Sequence, residues 1–261
     1  WYKGLYDMGQ HPDFEDYESW RFPTWTNKAM YPGGYDDPEL VRIRRTVSKQ
    51  YWEQEYAAEF TSFEGQIYPE FDERVHVKRC EYNPLWFNAW AFDFGFADPF
   101  CCYDIQVDAS DNVYIWREYQ VSHLSTWQHG HILKNRENPN NFHVNMMYAD
   151  PAGADEIATL ELVLGKIFAE RVSWHEGIEA VRRWMAPQEG PPKFFVDPSC
   201  IHLIRQLQQL RRKENREGHN ERTGQHDYDD HGPDAIRYFF SQHFVLGRNM
   251  TLASVYTARG Q

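Results

Sequence analysis

The stretch DYDDHGPDAIRYFF, residues 227–240, concentrates carboxylates and an imidazole immediately before an apolar run. A helix that starts at Pro233 would have three polar side chains around its first turn, namely Asp230, His231 and Asp234. An acid there gains from the helix dipole, so capping is one interpretation. The stretch holds four aspartates, however, which is more than a cap requires. Because a divalent cation would offset their repulsion, oxygen ligands with an imidazole indicate a magnesium or manganese site.

Two further aspartates end predicted strands. Asp93 interrupts the apolar run WFNAWAFDFGF, and Asp150 closes NMMYAD. Because an unpaired carboxylate inside a sheet is costly, such residues are usually paired, hydrogen-bonded or bound to a metal. The alternative is that each aspartate caps the turn that follows, which is our interpretation of Asp197, a third strand-end acid before Pro198.

Carboxylates from two strands and one helix terminus are the groups that a two-metal phosphodiester hydrolase requires. In such enzymes one ion activates water and the other stabilises the leaving oxygen, with the ions roughly 3.5–4 Å apart. The residues alone therefore favour metal-dependent hydrolysis of a phosphodiester, with turn and helix capping as the alternative.

Other catalytic motifs are absent or incomplete. The tripeptide Asp93-Phe94-Gly95 spells the kinase DFG, but no Gly-rich loop, HRD or VAIK accompanies it. The sequence HEGIE at His175 is not HExxH, and neither GxxxxGK[ST] nor GxSxG occurs. The four cysteines show no CxxC spacing, so we expect buried, reduced thiols instead of a zinc site or disulfides.

The charge distribution bears on a nucleic-acid partner. A net charge of −12 argues against DNA binding when taken alone, because basic groups supply non-specific affinity. Residues 1–75 hold 15 acidic against 8 basic residues and the remainder holds 24 against 19, so a local basic groove is still allowed. The segment 205–222 carries 6 basic against 3 acidic residues, and DNA contact and a solvated helix end explain it equally well.

Hydrophobic patterning predicts the elements that position these residues. Short aromatic and β-branched runs predict strands at 86–94, 99–108, 113–119, 143–149 and 193–197. Only ASDN separates the second run from the third, so these two are expected to be antiparallel neighbours. Helices are predicted at 154–164, in HEGIEAVRRWM, in IHLIRQLQQLRRK and from Pro233 to about Val245. This order predicts an α/β or α+β mixed sheet with helices on its faces.

The first part of the chain has a different composition. Residues 1–38 are rich in proline, glycine and aromatics and predict an extended arm or linker, followed by one or two short helices that end near Phe60. A boundary is expected at about 65–80. No run approaches the roughly 18 apolar residues of a membrane span, and the start lacks a signal-peptide pattern. We therefore expect a soluble, intracellular protein without a membrane partner.

Four segments in order resemble the nuclease half of the large terminase subunit of tailed bacteriophages. They are FDFGFADPF, MMYADPAG, SCIHLIRQLQQLRR and DHGPDAIRYFF. At the front, FPTWTN and QEYAAEF are similar to the segment that closes the ATPase domain of this family and leads into its nuclease domain. Each segment alone is weak, but their order is specific, and the resemblance covers nearly the whole chain.

The resemblance implies a ribonuclease H-like fold with a central mixed sheet. It assigns residues 1–70 to the end of the ATPase domain and the linker, and 71–261 to the nuclease domain. The implied activity is an endonuclease that cuts concatemeric viral double-stranded DNA during genome packaging. The implied partners are the portal protein and the small terminase subunit, and the implied location is the host cytoplasm, transiently at the procapsid portal. Without a phosphate-binding loop, the chain is not expected to hydrolyse ATP.

The resemblance also implies site residues. The first metal-binding aspartate of the family falls on Asp93 and the second on Asp150. The third ligand lies at the start of the last helix, where His231 and Asp234 are candidates with Asp230 behind them. A further ligand after the first strand is implied at Asp98. Candidate DNA contacts lie in the basic segment, at Arg211, Arg212, Lys213 and Arg216.

The working hypothesis is hydrolysis of both DNA strands with two Mg²⁺ or Mn²⁺ ions. Asp93 would bridge the ions, with Asp150 on one of them and Asp234 or His231 on the other. A His231 ligand must be neutral, so acid pH would weaken metal binding. Two alternatives remain open, namely another ribonuclease H-like enzyme of the resolvase or integrase type, and a non-catalytic docking domain of the packaging motor.

Overall fold

Residues 2–59, 65–136, 143–211 and 230–246 are described by the structure, which is a computed structural model. Contacts divide the chain into two units. The first comprises Trp1–Glu64 with Ala186–Pro191, and the second comprises Gly65–Met185 with Pro192–Gln261. The assignment of residues 1–70 to the end of an ATPase domain stays a prediction.

The second unit is built on a five-stranded mixed sheet. Its strands are β1 (Phe87–Asp93), β2 (Phe100–Val107), β3 (Val113–Val121), β4 (Met146–Tyr148) and β5 (Phe194–Val196). The order across the sheet is β4-β1-β2-β3-β5. The first three strands are antiparallel neighbours, as predicted. The outer strands run parallel to their neighbours, β4 beside β1 and β5 beside β3.

Helices cover both faces of this sheet. They are α4 (Glu73–His76), α5 (Thr126–Asn135), α6 (Ala154–Leu164), α7 (Trp174–Met185), α8 (Ile201–Gln209) and α9 (His231–Phe240), which continues as a π-helical turn (Ser241–Val245). Alternate residues of β1 enter different cores because strand side chains alternate between faces. Ala89 and Ala91 face the core shared with α7, α8 and α9. Trp90 and Phe92 face the core shared with α5 and α6. The predicted mixed α/β sheet with flanking helices is confirmed.

The first unit contains three short helices within its described residues, α1 (Tyr2–Gln10), α2 (Pro38–Arg44) and α3 (Lys49–Glu55). The prediction of an extended arm over residues 1–38 is therefore wrong for α1. The returning chain supports this helix, because Ser19 Oγ donates to the Tyr6 carbonyl at 2.6 Å and Gln10 Nε2 donates to the Ser19 carbonyl at 2.6 Å. Such contacts come from later residues and leave no periodic signal in the helix itself.

The last helix also begins earlier than predicted. Helix α9 starts at His231, because the Asp234 N–H donates to the Asp230 carbonyl at 2.8 Å and closes the first turn. Pro233 lies within that turn, where the N–H that proline lacks has no intrahelical partner.

All four cysteines are buried and free of disulfides, as predicted. Within the described parts of the chain, no helix is both long enough and apolar enough to cross a membrane.

A buried ion cluster joins β1, β2, β3 and the residue that follows α5. The carboxylate of Asp104, fully buried on β2, lies 2.6 Å from Arg117 Nε and 3.1 Å from Arg136 Nη1. The indole N–H of Trp90 donates to its other oxygen. One acid thus satisfies two guanidinium groups and an indole at the centre of the sheet.

Removal of this carboxylate is expected to destabilise the second unit strongly. Asp104→Ala leaves two partly buried cations without their counter-ion, and we expect the free energy of unfolding to fall by roughly 3–5 kcal/mol. Urea unfolding followed by tryptophan fluorescence measures the loss. The control is Glu81→Ala, which breaks an exposed pair with Arg79 at 3.8 Å and should cost less than about 1 kcal/mol. Equal unfolding midpoints for the two variants would contradict the proposed role of the cluster.

Candidate active site at the carboxyl ends of β1 and β4

Asp93 is the last residue of β1, and its side chain is 13% exposed. Burial raises the pKa of this carboxyl to about 6, although the hydrogen bond from His231 works in the opposite direction. The negative charges of Asp234 and Asp230 raise it further. Ionisation of the Asp93 carboxyl therefore costs free energy in the folded protein. A cation bound beside the carboxylate would offset that cost.

His231 is the first residue of α9 and contacts Asp93 directly. Its Nδ1 lies 2.7 Å from Asp93 Oδ2, and its side chain is 20% exposed. These two residues stand 138 positions apart in the sequence. The contact places the positive end of the α9 dipole beside the Asp93 carboxylate, which partly offsets the cost of burying the charge.

Close packing under the first turn of α9 holds His231 at this place. Gly232 lies so near the Tyr103 hydroxyl and Gln206 Oε1 that a β-carbon on it would collide with both. Gln120 donates to both of these oxygens, and its bond to Gln206 measures 3.2 Å. Farther along the helix, Ile236 is fully buried in the core that α9 shares with β1. A glycine is thus required where the helix begins against the sheet.

Asp150 follows β4 and lies at the same edge of the sheet as Asp93. In the parallel pair of β1 and β4, Ala91 is the partner of Tyr148, and each aspartate stands two residues beyond its strand's member of that pair. Asp150 Oδ1 accepts the Ala152 N–H at 2.9 Å, so the turn-capping interpretation holds for that oxygen. Asp150 therefore caps its own turn and also lies at the same sheet edge as Asp93.

Two side chains from α9 and the turn that follows it lie near Asp150. Burial, together with the Asp234 and Asp150 carboxylates, raises the pKa of Tyr238, so its hydroxyl keeps its proton beside Asp150. In the π-helical turn, buried Gln242 donates to the Ala149 carbonyl at 2.9 Å and accepts the Glu170 N–H at 3.1 Å. These two bonds tie the backbone just before Asp150 to the segment at Glu170.

Asp234 is engaged by a buried arginine. Its Oδ1 lies 2.9 Å from Arg237 Nε, three residues along α9. Burial alone would lower the pKa of Arg237, but the Asp234 carboxylate raises it above its ordinary value. Gly177 on α7 makes room for the arginine, since a β-carbon there would lie 2.7 Å from Arg237 Cγ. In the structure His231, not Asp234, is in contact with Asp93.

The remaining predicted ligands lie outside this contact. Asp98 is exposed in the loop after β1, and no ion pair of its carboxylate is present among the described residues. Asp230 precedes α9 without a side-chain bond to the first-turn amides in the described structure, so simple capping does not account for it. Its charge contributes to the raised pKa of Asp93.

Of the predicted DNA contacts, one is described. Arg211 forms an isolated antiparallel bridge with Gln66, and no described contact joins it to Asp93 or Asp150. Arg212, Lys213 and Arg216 lie outside the described residues, so their predicted role stays a prediction.

The fit of the site to a divalent cation is partial. Within residues 2–59, 65–136, 143–211 and 230–246, no three His, Cys, Asp or Glu side chains are grouped closely enough to hold a metal. Asp93 and the His231 imidazole, which are in contact, and Asp150 at the same sheet edge nevertheless supply donor atoms of the kinds that Mg²⁺ or Mn²⁺ accepts.

Sequence reasoning did not find Arg237, Tyr238 or Gln242. A signal was present for two of them, because residues three or four apart share a helix face. Asp234 with Arg237 and Asp234 with Tyr238 have these spacings in DAIRYFF. Gln242 gave no such signal, because its two partners come from distant segments.

The raised pKa of Asp93 predicts that Asp93→Asn stabilises the metal-free protein at pH 8. A carboxyl whose pKa rises on folding from an ordinary value of 3.8 to about 6 costs about 3 kcal/mol once ionised. The cost is fully present above about pH 6 and vanishes as the pH falls toward 4, so the gain should disappear in acid. Urea unfolding with EDTA at pH 8 and pH 4.5 measures it.

Asp197→Asn provides a control with the opposite sign. Burial favours the protonated acid here too, but the Cys80 and Ser199 N–H groups donate to the carboxylate and lower the pKa of Asp197. This aspartate therefore stabilises the fold at neutral pH, and its replacement should lower the stability. Destabilisation of Asp93→Asn at pH 8 to the same degree would contradict the electrostatic account of Asp93.

Gly232→Ala is expected to push the start of α9 away from the sheet. The new methyl group would meet Tyr103 and Gln206, so we expect a loss of roughly 1–3 kcal/mol in the free energy of unfolding. Gly4→Ala, at an exposed position of α1 with no atom near the added carbon, is the control and should not destabilise the protein. Thermal and urea unfolding compare the stabilities of the two variants. Equal stabilities would show that the packing around Gly232 leaves room for a methyl group.

Comparison with known proteins finds that the chain is similar to large terminases of bacteriophages. No family model matches the chain. The large terminase subunit of Escherichia phage T5 is 29% identical over 255 residues, which covers 91% of this chain and 54% of the T5 protein. The chain thus spans about half the length of that relative.

Solved structures of terminases share the fold. The large terminase of a thermophilic bacteriophage matches with a TM-score of 0.64 and 19% identity, over 79% of this chain and 52% of that protein. The nuclease domain of the large terminase of bacteriophage SPP1, solved with bound Mn, matches with a TM-score of 0.50 and 18% identity, over 65% of this chain and 97% of that domain. The expected ribonuclease H-like fold is thereby confirmed, and in sequence the chain is similar to the large terminase subunit of phage T5 over most of its length.

Proposed function

We propose that this chain is the DNA-cleaving part of a phage packaging terminase. The observation that carries the proposal is the buried Asp93 carboxylate with its raised pKa, in contact with His231 and at the same sheet edge as Asp150. The relationship to the T5 terminase and the shared fold with the SPP1 nuclease domain support it. The substrate is concatemeric double-stranded viral DNA, and the reaction is hydrolysis of a phosphodiester in each strand.

Asp93, Asp150 and His231 are the residues that would hold divalent metal, and two Mg²⁺ or Mn²⁺ ions are proposed. Bound ions would supply Lewis acidity toward the phosphodiester and the attacking water. The SPP1 domain was solved with Mn, which supports a divalent cofactor of this class. Asp234 stays a candidate for the third ligand if Arg237 releases it, and Asp98 and Asp230 are outer candidates.

The protein side of the mechanism rests on orientation and proton control. The Ala152 N–H orients the Asp150 carboxylate and Gln242 holds the backbone just before it, so this carboxylate need not reorganise when a cation binds. Asp93 must be ionised to bind metal, and its pKa of about 6 means that protons compete with the cation below that pH. Cleavage by this chain is therefore expected to rise with pH through about 6.

The packaging context extends the proposal to partners. The portal protein and the small terminase subunit would bring the DNA to this chain at the procapsid portal, in the host cytoplasm. The acidic net charge of −12 accords with weak DNA affinity of the isolated chain, which would then depend on the rest of the motor for substrate. No P-loop sequence occurs, so ATP hydrolysis is not expected from this chain.

One observation favours a second candidate, a docking domain without catalysis. Asp150 caps its own turn and Asp234 is paired with Arg237, so both carboxylates have structural partners without a metal. A resolvase-like or integrase-like enzyme is the other alternative, and the relationship to a terminase over most of the chain argues against it.

Plasmid cleavage separates these candidates. The purified chain with Mn²⁺ should nick and linearise supercoiled plasmid, and EDTA should abolish the reaction. Asp93→Asn and Asp150→Asn should each reduce the rate by at least about 100-fold, because loss of even an outer partner of a metal ligand costs 10–100-fold.

The matched control is Asp197→Asn, which replaces the strand-end aspartate of β5 that caps a turn at the other edge of the sheet. This variant should cleave at the rate of the unaltered chain once it is folded. Equal cleavage by Asp93→Asn and the unaltered chain would place the active site elsewhere, and no cleavage by the unaltered chain would favour the docking alternative.

A further inference from the structure

A cleft of about 210 Å³ opens directly beside Asp150. The turn after β4 forms one wall, the segment from Glu170 to Trp174 forms another, and α9 closes it with Arg237 and Tyr238. The cleft lies within the second unit and shares Asp150 with the candidate active site. A DNA strand whose phosphodiester reached Asp150 would therefore continue past this cleft.

Two acids, Asp150 and Glu170, and two arginines, Arg171 and Arg237, line the cleft, and only the arginines could bind a phosphate. Arg237 is buried and paired with Asp234, so its charge is already balanced. Arg171, by contrast, is exposed at the rim, and within the described residues its guanidinium makes no ion pair. A solvated guanidinium can bind phosphate with two parallel hydrogen bonds at little desolvation cost.

The shape of the cleft suits a sugar attached to that phosphate. Pro151 and Ala152 on one side and Val172 and Trp174 on the other form apolar walls around the space between Asp150 and Arg171. Deoxyribose presents apolar C–H groups between its phosphates, so one part of the cleft matches the sugar and its cationic rim matches the phosphate.

The cleft is preformed because Gln242 ties both of its walls together. Its side chain bonds the carbonyl of Ala149, next to Asp150, and the N–H of Glu170, next to Arg171. Gln242 itself is fully buried. The Gln242 side chain thus fixes the separation between the backbone at Asp150 and the backbone at Arg171.

We propose that Arg171 binds a backbone phosphate of the DNA strand that is cleaved, next to the phosphodiester that reacts, with the attached sugar against Trp174. This inference rests on the proposed nuclease function and extends it by naming a substrate contact outside the predicted basic segment. Arg171 acts here in substrate binding and touches the DNA backbone, not the reacting atoms.

Salt-dependent DNA binding tests the contact. The probe is a fluorescein-labelled 30-base-pair duplex, with Ca²⁺ in place of Mn²⁺ so that binding is measured without turnover. For duplex DNA, log K falls with log salt with a slope of about −0.9 for each phosphate neutralised. Arg171→Ala should therefore weaken binding and make the slope shallower by about 0.9, whereas Arg171→Lys should keep the slope and lose part of the affinity.

Arg79→Ala is the matched control. Arg79 is 84% exposed and lies 3.8 Å from Glu81, away from the lining of the cleft. It should leave both the slope and the affinity unchanged. In plasmid cleavage with Mn²⁺, Arg171→Ala should raise KM with little change in kcat, because a contact present in both the ground and transition states affects binding alone.

The outcomes separate this inference from the proposed function. If the unaltered chain cleaves plasmid but Arg171→Ala keeps its slope and KM, the contact is wrong and the nuclease stands. If the unaltered chain binds the duplex without cleaving plasmid, the nuclease function fails, and the slope still decides whether Arg171 contacts DNA. The last outcome is that the unaltered chain does not bind the duplex measurably at about 20 mM salt, well below physiological ionic strength. That result would overturn the Arg171 contact as well.

Discussion

The burial of one carboxylate governs the architecture of the candidate site. Asp93 ends a strand whose other residues are buried, and ionisation there is unfavourable without compensation. The compensation comes from the His231 hydrogen bond and from the N-terminus of α9. The rest of the second unit is arranged so that this helix begins where β1 ends.

Several packing features serve that one placement. Gly232 allows the helix to approach Tyr103, Gly177 admits the Arg237 side chain, and Arg237 balances Asp234 beside the site. Farther along the helix, Tyr238 and the π-helical turn reach Asp150 and its neighbours. One helix therefore organises both candidate ligands on the sheet, with its first turn at Asp93 and its last residues at Asp150.

The sheet and the strand-end acids could be predicted from the sequence because their signals are local. Runs of apolar residues indicate the strands. Asp93 and Asp150 are conspicuous because a charged side chain at the end of a buried strand is costly without a partner. The first residue of α9 was misplaced by two positions, because Pro233 marks a first turn without specifying where in that turn it lies.

The contacts of Gln242 and the proposed role of Arg171 could not be predicted from the sequence in this way. Each depends on segments that only the folded chain brings together, such as the approach of the π-helical turn to Ala149 and Glu170. Helix α1 is a similar case, because its support comes from Ser19 in the returning chain. The local sequence pattern therefore predicts the candidate ligands, whereas the residues that support them are seen only in the tertiary structure.

The contact between Asp93 and His231 has a consequence for the order of events during synthesis. Its two members lie 138 positions apart, and the helix that carries His231 is the last one described. A ribosome releases the β1 strand long before it releases α9. A growing chain therefore exposes Asp93 without its partner, and the candidate site is complete only after nearly the whole of the second unit has left the ribosome and closed on itself. In a nuclease, such late assembly would keep incomplete chains from cutting DNA.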